Sequence, residues 1–149
     1  MAETLGSLCD KLTIVKLKQF HTRQKSRQDV LVLQEQLLVK EVDDFVQAAI
    51  VGQISVDELT FSSNKIYKRQ GNDITQISGT IGVIVAKLAE VNCALWHEQE
   101  KVYDFERVPE KEKNKVVKQL AVLNLERNQC IDRIDKQFQT LVEKRFVAR

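Results

Sequence analysis

The chain has 149 residues, 30% of them charged, with five glycines and one proline, a composition that favours one domain of long helices over a strand-and-turn design. Its 23 Lys and Arg against 21 Asp and Glu lack the positive excess of a dedicated nucleic-acid module. No run of about 18 uncharged apolar residues occurs, and "MAETLGSLCDK" has no basic stretch leading into an apolar one, so membrane spanning and export have no signal and a cytosolic protein is expected.

Leu5, Leu8, Leu12 and Val15 recur at spacings of three and four, which predicts a first helix from about Glu3 to Thr22. "RQKSRQD" breaks that pattern, and Ser26 is placed to cap a second helix running from Arg27 to about Val51 through Val30, Leu33, Leu37 or Leu38, Val42, Phe45, Ala49 and Ile50. Gly52 ends it, since glycine tolerates the left-handed conformation common after a helix. Ser55 stands three residues before Glu58, a capping-box spacing that predicts a short extra helix. "FSSNKIYKRQGND" has no clear period and reads as an exposed loop, with Tyr67 as a possible anchor.

Ile77, Ile81, Ile84, Leu88, Val91, Leu95 and Val102 predict a third helix from near Ile74 to about Asp104, with Gly79 and Gly82 allowing a close neighbour at its start. Pro109 suits a first helical position, and Glu110 and Glu112 complement the helix dipole there. The fourth helix continues through Val116, Leu120, Leu123, Ile131, Ile134, Phe138 and Leu141. Short links at two of the three joints predict an all-α fold: a single domain spanning residues 1–149, built as an antiparallel four-helix bundle.

Four polar residues fall on or beside the apolar stripes: Asp10, Asn92, Asn124 and Arg127. Counting outward from the joint near Arg107 sets Asn92 and Asn124 at similar heights, and Asp10 lies as far along its helix as Asn92 does. One layer is therefore expected to hold all four, with Arg127 forking onto Asp10, the asparagines filling the remaining positions, and Trp96 supplying a wall and an indole donor. Such a layer is either a sealed network that fixes helix register or the lining of a pocket for a polar ligand.

Other chemistry finds less support. Cys9, Cys93 and Cys130 are odd in number and lie within apolar stripes, which suits reduced core thiols. Cys93 and His97 share a helix face, but two ligands do not make a zinc site. No Glu-x-x-His pair, phosphate loop, dinucleotide fingerprint or nucleophile motif occurs, and Glu41, Asp43, Asp44, Glu98 and Glu100 do not repeat a magnesium-binding box. No cofactor and no catalytic residue is assigned. Lys16, Lys18, His21, Arg23, Lys25 and Arg27 would share one end of the bundle with His97, Lys101 and Arg107, a mixed surface able to attract an anionic small molecule or an acidic protein face.

The segments "LGSLCDKLTIVKLK", "VNCALWHEQEKV" and "LNLERNQCIDRID" together resemble a bacterial family of unknown function with Asp-Lys-Leu-Thr-Ile, Val-Asn-x-x-Leu-Trp and Leu-Asn-x-x-Arg segments. Asp10, Lys11, Asn92, Trp96, Asn124 and Arg127 match those motifs. The resemblance implies a link to genes of sugar transfer and the cell envelope. Gln99 and Glu100 stand where that family has Glu-Asp, so no acid role is carried over to that position. The expectation is a non-catalytic binding or accessory protein that meets a protein partner or itself, or else a small-molecule binder or enzyme acting on a phosphorylated or sugar ligand at the polar layer.

Overall fold

A computed structural model describes residues 2–61 and 77–147. Among them are four α-helices, α1 (Leu5–His21), α2 (Lys25–Ile50), α3 (Ile81–Tyr103) and α4 (Glu110–Val147), with single 3-10 turns at Val56–Glu58 and Phe105–Arg107. The all-α reading holds. Contacting residues run in opposite order on α1 and α2, where Lys16 meets Glu35 and Gln19 meets Gln28, and on α1 and α4, where Gly6 meets Asp135 and Asp10 meets Arg127. These contacts are compatible with the expected antiparallel bundle.

Several boundaries differ from expectation. Ser26 lies inside the first turn of α2, which starts after Gln24 without a side-chain cap. The side-chain bond at this joint is made by Gln28 to the other helix, its Nε2 donating back to the carbonyls of Gln19 (2.6 Å) and Thr22. The end of α1 is thus satisfied from α2, and the link is shorter than its charge pattern implies. Ser55 occupies the position before the 3-10 turn but makes no side-chain cap, so the capping box is not formed.

Helix α3 begins at Ile81. Gly79 has φ +131°, outside the helical region, and Thr80 caps the helix by accepting from the N–H of Val83. A Cβ on Gly82 would meet nothing within 4 Å, so that glycine serves no close approach. Gly52, at φ +82°, ends α2 as its position predicts. Tyr67 and the start expected at Ile74 lie outside the described residues.

The main core joins Leu5 of α1, Ala49 of α2, Ile84 and Leu88 of α3, and Cys130, Ile134, Phe138 and Val142 of α4. Leu59 and Ile77, from the connection between α2 and α3, are buried in it, and Gln139 of α4 donates to the carbonyl of Val56 at 3.0 Å. A second cluster joins Leu8, Leu12 and Val15 of α1 to Leu31 and Leu38 of α2. On α4 the buried line passes through Cys130 and Val142 in place of Ile131 and Leu141. The inward register is therefore one residue away from the expected one at both positions.

Candidate functional site

The polar layer forms around Asp10, which is 4% exposed. Arg127 grips it with two nitrogens, Nε donating to Oδ1 at 2.8 Å and a terminal nitrogen to Oδ2. Asn92, also 4% exposed, donates through Nδ2 to Asp10 Oδ1 at 2.9 Å and to the Thr13 hydroxyl at 2.8 Å. Thr13 in turn donates to the carbonyl of Asp10. The bidentate carboxylate raises the Arg127 pKa above its ordinary value, so the guanidinium stays charged.

Asn92 thus replaces a core leucine because it reaches across from α3 to α1, placing a donor on a carboxylate that Arg127 alone would not saturate. Thr13 is a member the apolar pattern hides, since a threonine on a helix flank carries no signal of its own.

Three expected members stand elsewhere. Asn124 is exposed and makes no hydrogen bond to the layer. The cause is helix rotation: Leu123 takes the inward position, and the next residue is turned about 100° away. Lys11 is on the surface, paired with Glu3. Trp96 faces the α1–α2 joint, its ring stacked on His21 with centroids 4.8 Å apart, and its indole N–H donates to Glu100 at 2.9 Å instead of to the layer.

Below the layer, a second buried carboxylate joins α4 to α1. Asp135 Oδ1 accepts the N–H of Gly6 at 2.7 Å, and the Thr4 hydroxyl also bonds to this carboxylate. Thr4 and Ser7 cap each other reciprocally, so the first-turn donors of α1 are met from its own cap and from α4. Burial pushes the Asp135 carboxyl up from 3.8 to about 6, against the opposing pull of the Gly6 N–H. Its neighbour on the buried line, Ile134, masks it in the sequence pattern.

Because the folded chain holds this proton more tightly than the unfolded one, the associated stability is full below pH about 4 and is lost as pH rises through about 6. Asp135→Asn keeps an acceptor for Gly6 and has no such titration. Melting curves between pH 4 and pH 7 are expected to fall by roughly 5 °C more for the native protein than for this variant. Parallel curves would remove Asp135 as the titrating group.

Clefts open on the surface formed by the described residues. One of about 850 Å³ lies at the α3–α4 joint among His97, Lys101, Asp104, Arg107, Glu112 and Lys115. Much of its charge is internally matched, Lys101 by Glu98 and Arg107 by Asp104. The second, about 570 Å³, is bounded by Lys18, Arg27, Val30, Leu31 and Trp96. The third, about 400 Å³, lies between α1 and α2 beside Ile14, Lys18, Gln34, Leu37 and Glu41. None of the three is lined by Asp10, Asn92 or Arg127.

Among the described residues, no three His, Cys, Asp or Glu side chains are grouped to hold a metal ion. The cysteines are free thiols, and burial raises Cys9 and pushes Cys130 up to about 11, so neither is activated as a nucleophile. No described helix is long and apolar enough to cross a membrane. No family model, curated protein or solved structure matches this chain.

Proposed function

We propose that this protein is a non-catalytic binding or accessory protein that engages a protein partner through the outward face of α2, with the Asp10 layer serving as a register device in its core. One contrast carries the reading. Asp10 and Asn92 are buried and bonded to each other and to the half-buried Arg127, whereas Val30, Leu33 and Leu37 of α2 stand 66%, 57% and 55% exposed in a row. The resemblance of the three segments makes an enzyme of envelope-sugar metabolism the first partner class to test.

The experiment is a paired substitution, Leu33→Asp with Leu37→Asp. Both side chains are exposed, so helicity and melting temperature should hold, with a stability change within about 0.5 kcal/mol per site. Affinity capture from the native host, quantified against the unsubstituted protein, is expected to lose its specific partners. Retention of every partner at unchanged yield would remove α2 as the docking face.

A second reading is favoured by the cleft at Trp96, where Lys18 and Arg27 stand beside an apolar wall and make no ion pair with any described residue. It suits a small anionic ligand with a flat apolar part. Trp96 is the only tryptophan, so its fluorescence reports occupancy directly. Saturable quenching by a sugar phosphate that disappears in Arg27→Gln would move this reading ahead.

A further inference from the structure

We infer that the occupant of the α2 face is a second copy of this chain, laid antiparallel along the first so that α2 packs on α2 about a two-fold axis at Gln34. The inference rests on the reading of α2 as a docking face and names its partner.

Val30, Leu33 and Leu37 follow the three-four spacing of a helix-pairing seam. Leu33 points away from Leu31, Leu38 and Val42, the residues through which α2 meets its own bundle, while Val30 and Leu37 border the clefts that α2 forms with α1. Ser26 bounds the stripe at one end and Lys40, already held by Asp44, at the other. The apolar strip is thus short and closed by polar residues, the form of a discrete contact.

Charge selects the occupant. Arg27, Gln34 and Glu41 share the flank of α2 beside this stripe at heptad intervals, and both charged residues make no ion pair with any described residue. Each lies seven residues from Gln34, about 10 Å along the helix. In an antiparallel pair centred on Gln34, Arg27 of one copy therefore meets Glu41 of the other, twice by symmetry, and Gln34 meets Gln34. A parallel pair would set Arg27 on Arg27 and Glu41 on Glu41. The arriving Glu41 also finds Lys18, which lines the same cleft as Arg27. An isologous contact of this kind closes on itself at two copies.

The test is sedimentation equilibrium across a concentration series, with charge exchange. A contact of this length predicts a dimer with a dissociation constant on the order of micromolar. Arg27→Glu alone and Glu41→Arg alone should each weaken it about tenfold, since each sets two like-charged pairs across the axis. The double exchange, R27E with E41R, should restore it, because every crossing pair is again opposite in charge. Within one chain the two sites are about 20 Å apart and cannot compensate each other. Gln34→Cys should form a disulfide-linked dimer on oxidation.

A monomer at every concentration up to about 1 mM overturns the inference. So does a dimer indifferent to the single exchanges, or one that the double exchange fails to restore. Loss of self-pairing alongside partner capture that still depends on Leu33 and Leu37 would sink the inference while leaving the proposed function standing.

Discussion

Arg127→Met is expected to destabilise the protein by about 3 kcal/mol, a fall in melting temperature of roughly 10 °C for a chain of this size. The substitution keeps most of the apolar stem and removes the fork, so packing changes little. What it leaves behind decides the outcome: the Asp10 carboxylate stays buried at 4% exposure with Asn92 as its remaining side-chain donor. An uncompensated buried charge is far more costly than the intact pair is stabilising. Adding Asp10→Asn to Arg127→Met should therefore recover part of the loss, because no charge is then stranded. A double-mutant cycle in urea measures this coupling, expected at about 1.5–3 kcal/mol. Strict additivity would show that Asp10 and Arg127 do not act as a pair.

Gly6→Ala is expected to be comparably damaging, at about 3 kcal/mol. A Cβ at this position would lie 2.4 Å from the carbonyl oxygen of Ile131 and 2.8 Å from Asp135 Oδ1. The first obstacle is backbone in the middle of α4 and cannot swing aside, so α1 and α4 must separate. That movement would also lengthen the bond from the Gly6 N–H to Asp135. The result runs against local propensity, since alanine in a helix is normally favoured over glycine by up to about 1 kcal/mol. Gly82→Ala, on an open face of α3, supplies the control and should follow propensity by raising stability slightly. Equal behaviour of the two variants would show that α1 and α4 are not in close contact at Gly6.

The helices were legible because apolar spacing is a strong signal over long stretches, and the same spacing exposed Asp10, Asn92 and Arg127 as charges and amides where leucine belonged. Their partnership followed from counting turns from the joints. Asn124 shows where counting fails, because one residue of rotation moves a side chain from the interior to water while leaving its height unchanged. Trp96 shows a related limit: its direction depends on His21 at the end of another helix. Gly6 and Asp135 were illegible for a different reason. A first-turn glycine and an acid beside an apolar residue are each ordinary locally, and their meaning lies in a contact across 129 positions of sequence.

The first half of α2 also has a consequence for the timing of motions within the bundle. It is held through Leu31 and Leu38 against α1, whereas Phe45 and Ala49 reach the main core. The first half of the helix is therefore held by α1 alone, and the second half by the main core as well. Its amide protons from Gln28 to Leu37 should exchange with solvent through a local opening that leaves α3 and α4 intact, and so long before the global rate. If a second copy clamps this segment, exchange there slows as protein concentration rises, while protection of Leu88 or Ile134 stays constant. The order of a stretch held in the monomer by one neighbouring helix would then be set by association.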